Sequence, residues 1–400
     1  SVKGGAAPVD HHVHVISRGK GLAGLCGQEG DTTSTVTQKR FTWRRPIRKL
    51  KTSVLMSASG ITDIHQADEQ YAARLLDLAV YFPGPGRFHL LALDAYLDEN
   101  GTVDKDKTDM YISNDYVVEL SKCLNGLLEK KTRALPERFK KDKRFAPMIS
   151  VHPYRKDALR ELRKFKGVAK FVKWLPSVMG INPADERIGP FFETMADLGM
   201  VLLSHTGQET TLKAPDCEQW HSNPLLLKHA LEKGVTVVMA HSGRDGDNDP
   251  RKTKKNDSCD SGGERKPNFD LFLEMMDDPR YIGRLFGEIS ALTIKNTLGH
   301  LRRIIERDSL RHRMVYGSDY PLPAASALNP TGAMTGEEFG YITEAEKRAL
   351  DKIYGINPLL FDFVLQRTIR LRDGRRMPEE FFLSLEHNLK RLKKAPGRRN

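Results

Sequence analysis

A chain of 400 residues with 39% apolar content can bury one large core, and none of its apolar runs approaches the ~18 residues of a membrane span. The segment from Ser1 to Asp10 lacks the charged-then-apolar order of a secretory signal, so a soluble cytoplasmic protein with no membrane partner is expected. The net charge of +12 is concentrated in two places, residues 39–51 with seven basic residues and no acid, and residues 367–400 with 11 Lys/Arg against 4 Asp/Glu, which excludes a polyanion-binding surface spread over the whole chain.

Along the chain, short runs rich in Val, Ile, Leu and Met alternate with amphipathic segments, the pattern of parallel strands buried on both faces and covered by helices. Strands are predicted at 7–14, 87–94, 144–151, 167–173, 200–205, 235–241, 283–290 and 313–319. Helices are predicted between them at 68–80, 115–128, 157–165, 186–198, 223–233, 268–276 and 297–307. Eight strands with interposed helices predict an α/β fold, a (β/α)8 TIM barrel over residues 1–366 with a long loop after the first strand. Residues 244–266 are polar and charged and read as a long mobile loop. After the eighth strand come a Pro/Gly/Ala-rich loop at 321–340, helices at 343–354 and 357–366, and a basic extension at 367–400. In that extension Phe381, Phe382, Leu385, Leu389 and Leu392 recur at near-helical spacing, so a helix docked on the barrel or on another subunit is expected rather than a nucleic-acid arm. Cys26, Cys123, Cys217 and Cys259 lie far apart with no Cys-x-x-Cys pair, which predicts free, structural thiols and no zinc knuckle.

In a parallel barrel functional groups project from the C-terminal ends of the strands. The first strand ends in Val-Asp-His-His-Val-His, which puts His12 and His14 on one face and His11 on the other. The fifth ends at His205, the sixth at His241 and the eighth at Asp319. A single strand-end histidine is ordinarily structural; three strands ending in metal-ligand residue types, with a His-x-His on the first strand in addition, point to a shared ion. Imidazole nitrogen with carboxylate oxygen suits zinc first, and three or four protein ligands with an open position make a catalytic site.

Six segments carry a family resemblance: Asp-His-His-Val-His (10–14), Val-Lys-Trp-Leu-Pro (172–176) followed by Gly-Ile-Asn-Pro (180–183), Leu-Ser-His-Thr-Gly (203–207), Met-Ala-His-Ser-Gly (239–243), Tyr-Gly-Ser-Asp-Tyr-Pro (316–321) and Tyr-Gly-Ile-Asn-Pro-Leu-Leu-Phe (354–361). In residue type and order they resemble the amidohydrolase superfamily, in particular the amidohydrolase-related branch that includes aminocarboxymuconate-semialdehyde decarboxylase, over about residues 8–366. The long first loop, the charged loop after the sixth strand and the basic tail depart from that pattern. The resemblance implies a divalent metal, zinc first, held by His12, His14, His205 and Asp319. The ion would lower the pKa of a bound water from 15.7 toward ~7, and Asp319 would act as general base and then general acid. His241 would hydrogen-bond the developing oxyanion or, second in rank, bind another ion. Lys173, if carbamylated, would bridge two ions; unmodified, it is a cation aimed at a substrate carboxylate or oxyanion, and its Lys-x-x-Pro setting resembles the one-ion branch. Lys170 is the runner-up for that position.

Weaker signals sit beside these. Gly19-Lys-Gly-Leu-Ala-Gly24 matches a dinucleotide fingerprint formally, yet the residues after it do not read as a helix, so loop glycines are expected. Walker and Gly-x-Ser-x-Gly sequences do not occur. His152 is a candidate rim contact, and Trp174 is read as packing. The basic run 39–51 falls in the loop above the metal, where it either attracts an anionic small-molecule substrate, with Trp43 covering the pocket, or is a solvated loop or subunit contact of a homo-oligomer. The leading functional reading is hydrolysis of a C–N or C–O bond, amide or ester/lactone-like. Two others stay open: nonoxidative decarboxylation of an unsaturated or aromatic acid, and a catalytically inactive barrel acting as a binding protein.

Overall fold

The computed structural model describes residues 7–19, 22–26, 53–83, 86–140, 143–251, 264–335 and 341–394. The basic run 39–51, with Trp43, Arg44 and Arg45, lies outside the described residues, as do Lys20, Gly21, Cys259 and residues 252–263.

The eight apolar runs form eight strands: β1 (Val9–His14), β2 (Gly86–Leu91), β3 (Lys143–Met148), β4 (Phe171–Trp174), β5 (Val201–His205), β6 (Thr236–Ala240), β7 (Leu285–Glu288) and β8 (Met314–Val315). Every pairing among them is parallel, in two arcs, β1-β2-β3 and β4-β5-β6-β7-β8. Two bridges join the arcs: Ile149 pairs with Val172 between β3 and β4, and Val13 pairs with Tyr320 between β1 and the chain beyond β8. The His11 N–H to Tyr316 carbonyl and His14 N–H to Tyr320 carbonyl bonds, 3.0 and 2.9 Å, run along the second seam.

Helices follow the strands as the periodicity predicts, among them α1 (Ala67–Val80), α2 (Asn114–Thr132), α3 (Ala158–Lys164), α4 (Gly189–Asp197), α5 (Lys228–Glu232), α6 (Asn268–Asp277) and α7 (Leu298–Ile305). Their apolar faces and the outward faces of the strands make one continuous layer of core. Beyond the barrel strands lie α8 (Glu344–Ile356), started by a Thr343/Glu346 capping box, and α9 (Pro358–Thr368), whose first turn is capped by the Asn357 side chain. No helix among the described residues is long and apolar enough to cross a membrane.

The extension ends in α10 (Leu385–Lys394). Leu385, with Leu389 and Leu392 behind it, packs on the inward-facing Leu91, Met148, Phe171, Val201, Val238, Phe286 and Val315 and seals the lower barrel, so the docked-helix reading describes where the apolar spacing goes. Lys170 pairs there with Glu386 at 2.8 Å, far from the strand ends that carry the candidate ligands.

One expectation is corrected. The cysteines are not free: Cys26 and Cys123 form a disulfide across 97 residues of sequence, and Cys217 is also disulfide-bonded. Spacing in the chain carries no information on such a link, because the fold brings the two Cα atoms to 5.8 Å. Of the segment 244–266, read as a mobile loop, residues 252–263 lie outside the described residues; at its ends Asp247–Asn248 pairs antiparallel with Lys266–Pro267, and Asn268 holds the carbonyl of Asp245. A single helical turn, Ala23–Cys26, begins inside the Gly19–Gly24 run, and the residues directly after Cys26 lie outside the described ones. Its Gly24 N–H donates to Glu69, and an acceptor carboxylate in that place is no phosphate cradle.

Candidate metal centre

The strand ends place their polar residues over one cavity. β1 carries a bulge between Asp10 and Val13. It lets His11 and His12 both turn away from the helices, His11 down into the lower barrel against Phe171 and His12 up into the centre. Asp10 fixes the bulge, its Oδ1 accepting the backbone N–H groups of His12 and Ser318. Beyond β6 and β8 the chain takes left-handed backbone at His241 (φ 59°) and Asp319 (φ 56°), an unfavourable conformation for such residues, and it turns both side chains inward.

The resulting contacts are close. His12 Nε2 lies 3.1 Å from His14 Nε2 and 3.3 Å from Asp319 Oδ1, and His14 Nε2 lies 3.1 Å from Asp319 Oδ1. Ligand atoms of His12, His241 and Asp319 all fall within 4.8 Å of one another. The His205 ring stands edge-on to His241, with centroids 4.9 Å apart, and Lys173 Nζ reaches His12 Nε2 at 2.9 Å. All of these except His14 are buried. His12, His14, His205, His241, Lys173 and Asp319 are therefore brought together. His152 is not: it is sealed under the rim with Nε2 on the Met179 carbonyl, while Trp174 is packed on Phe191 with its N–H on Val151.

This donor set fits a divalent ion. Burial holds His12 and His241 well below the usual imidazole range, helped by Lys173 at His12 and by His205 at His241, and burial lowers His205 as well. All three are therefore neutral rings with a lone pair to give. His205 Nε2 is buried with no hydrogen-bond partner among the described residues, a costly state that coordination would relieve. Burial opposes the Asp319 charge, but the hydrogen bond from His14 and the Lys173 ammonium outweigh it and keep this carboxyl ionised, below the usual range. Burial brings the Lys173 ammonium down to about 8, against the pull of Asp319, Glu288 and Glu209.

Several members of the site were not read from the sequence. Glu288, fully buried at the end of β7, lies 3.4 Å from His12 Nδ1 and accepts from Ser290 and from the His241 backbone N–H. Glu209 faces His205 Nδ1 at 3.6 Å and accepts the Leu212 N–H. Arg244 lines the cavity from a segment read as a loop. An acid closing an otherwise apolar strand, Leu-Phe-Gly-Glu288, is the one signal that was present.

Above the ligands a pocket opens to solvent. Its walls are apolar at Val15, Ile16, Leu55, Met110, Leu175 and Leu212, and its floor holds Lys173, His14, His205, His241 and Asp319 with Arg244 alongside.

Comparison with known proteins is consistent with this geometry. The family model described as Amidohydrolase matches residues 130–360, more than half of the chain. Among solved structures, an uncharacterised TIM-barrel protein from Bordetella bronchiseptica aligns at 14% identity and a TM-score of 0.50, covering 97% of this chain and all of its own. A 5-carboxyvanillate decarboxylase from Sphingomonas paucimobilis aligns at 11% identity and 0.45, covering 97% of this chain and 98% of its own. A putative 2-pyrone-4,6-dicarboxylic acid hydrolase from Pseudomonas putida aligns at 13% identity and 0.37, covering 98% and 99%. No curated protein matches the chain. At these identities the first structure speaks to the fold, a TIM barrel, and the family rests on the family model: the chain belongs to the amidohydrolase family.

Proposed function

We propose that the protein is a metal-dependent hydrolase of a C–N or C–O bond in a small, carboxylate-bearing substrate. The observation that carries this reading is the convergence of His12 Nε2, His14 Nε2 and Asp319 Oδ1 within 3.3 Å of one another at the floor of an open pocket. His12, His14, His205 and Asp319 would hold one zinc ion, with His241 beside them. When bound, a divalent ion supplies Lewis acidity, which brings the pKa of water toward ~7.

The chain's own groups do the rest. Asp319 is ionised, with Oδ1 on the two β1 histidines and Oδ2 4.0 Å from His241 Nδ1, and it would take the proton from the attacking water and return it to the leaving group. His241, held at Nδ1 by Ser290 at 2.8 Å, keeps the lone pair on its other nitrogen and would stand as a further ligand beside the four. Lys173 and Arg244 stand on the same cavity as the cations that orient a substrate carboxylate, and the apolar walls exclude water from its carbon skeleton.

The same residues would serve a decarboxylase, and the two chemistries separate by product. The purified chain, assayed for metal content and then offered lactones, esters, amides and aromatic or unsaturated acids, should contain about one divalent ion per chain. It should open a lactone, ester or amide without releasing CO2, and lose that activity with a chelator. Stoichiometric CO2 would replace hydrolysis with decarboxylation, and absence of any bound divalent ion would end both readings. The disulfides favour an oxidising compartment over the cytoplasm expected from the sequence, since such links seldom persist in a reducing cytosol.

A further inference from the structure

The seventh strand adds a group that connects the candidate ligands from behind. Glu288 is fully buried at the end of β7, where Leu285 and Phe286 are core residues, and apolar packing there gives no reason for a carboxylate. Its Oε2 collects three contacts from two other strand ends and its own: the His241 backbone N–H at 3.1 Å, the Ser290 hydroxyl at 2.6 Å and His12 Nδ1 at 3.4 Å. Oε1 has no hydrogen-bond partner among the described residues and is pressed against Gly317 beyond β8, where an added Cβ would overlap it and crowd the His12 side chain. One carboxylate thus touches the strand ends of β1, β6 and β8, the three that carry His12, His241 and Asp319.

Hydrogen-bond roles give this contact a direction. Lys173 donates to His12 Nε2 at 2.9 Å, so that nitrogen holds the lone pair, and in a neutral ring the proton must then sit on Nδ1, which faces Glu288. Ser290 has one hydroxyl proton, and its shorter bond is to the carboxylate; it therefore accepts from His241 Nδ1–H at 2.8 Å and leaves the His241 Nε2 lone pair free. We propose that Glu288 is a positioning residue: it holds His12 directly, and His241 through Ser290, in the tautomer and orientation that turn both Nε2 atoms toward the ion. The proposal rests on the metal-centre reading above. Carboxylates behind a ligating imidazole fix its orientation and raise its basicity, and their loss typically costs 10- to 100-fold in metal affinity.

The full-length chain, stripped with a chelator and titrated with Co2+, tests this by affinity and by the visible absorption of the bound ion, with Zn2+ competition as a second measure. E288L should bind Co2+ about 10- to 100-fold more weakly than the unsubstituted chain, with altered absorption. E288Q keeps one acceptor oxygen and should regain most of that loss. S290A should weaken binding less than E288L does and add nothing to it in the E288L/S290A double variant, because the relay from His241 ends on Glu288. Metal-free melting curves report folding separately. E288L with unchanged affinity and absorption overturns the proposal, as does S290A with unchanged affinity should E288L fail to fold. A lowered melting temperature with unchanged affinity assigns Glu288 to stability alone and also overturns it. An unsubstituted chain that takes up no divalent ion removes the metal centre itself and this role with it, a result distinct from the others.

Discussion

The upper and lower halves of the barrel interior are built by the same strands and do opposite things. β5 shows it within five residues: Val201 and Leu203 face inward below, and His205, two residues further on, faces inward above. Below, the inward positions are aliphatic or aromatic and α10 closes them with Leu385; above, they are ligands and cations under an open pocket. Even histidine changes its work. His11 and His89 stack in the lower barrel, 5.4 Å apart and nearly parallel, with Phe171 edge-on to both and the His11 Nδ1 tied to the Tyr316 backbone carbonyl. Burial lowers both, so they are neutral packing groups. One position further along β1, the Nδ1 of His12 faces a carboxylate instead. What separates a core histidine from a candidate ligand here is the group behind the ring.

If the halves are separate, substitutions above should remove chemistry and spare folding, and those below should do the reverse. The largest expected effect is D319N, which leaves no charged acceptor for the water proton and should lower kcat/KM by about 10^3-fold on a responding substrate. The melting temperature of the metal-free protein should not fall. More than a tenth of the activity surviving in D319N would take the base role from this residue. Next comes L385A, which empties a fully buried site against the lower barrel and should cost about 2–5 kcal/mol, roughly 5 °C in melting temperature. Its metal stoichiometry at 25 °C should be unchanged. Loss of the ion in L385A would break the comparison, showing that the seal below sets the geometry above.

Much of this division was legible in the chain. Strands buried on both faces read as continuous apolar runs, so all eight were placed, and ligand residue types ending several such runs singled out His12, His14, His205, His241 and Asp319; the last four line one cavity, and His12 lies buried against His14 and Asp319. The misses share a physical cause. Alternation puts His11 opposite His12, but the bulge in β1 breaks the alternation, and both rings lie inside the barrel. Glu288 looked like the plain end of a strand because its role depends on three other segments, at His12, His241 and Gly317. The Cys26–Cys123 link and the place of Arg244 on the pocket likewise exist only once distant segments meet.

A smaller effect sharpens the boundary between the halves. Asp10 lies under the centre, and burial raises its carboxyl to about 7 from 3.8, against the hydrogen bonds from Ser318 and His12. Between those values the folded protein keeps a proton that the unfolded chain has released. Stability therefore falls as pH rises through the window from 3.8 to about 7. D10N retains the acceptor for both backbone N–H groups and cannot ionise. Metal-free melting temperatures across this range should fall a few °C less in D10N than in the unsubstituted chain, and parallel curves would mean that Asp10 does not carry a raised pKa.

The smallest effect tests what holds the seal. Lys170 and Glu386 meet at 2.8 Å where β4 begins and α10 starts, but the two side chains are 45% and 33% exposed. A pair so open to water contributes less than about 1 kcal/mol, and salt screens it further. The leucines beside it are buried against the barrel floor, where a single Leu-to-Ala change already costs more than that. K170A should therefore lower the melting temperature by no more than about 1–2 °C, and high salt should erase the difference. A larger, salt-sensitive loss would mean that charge rather than apolar burial fastens α10. The extension's concentration of basic residues would then be part of the seal, whereas a small loss leaves that charge as the solvated outer face of an apolar plug.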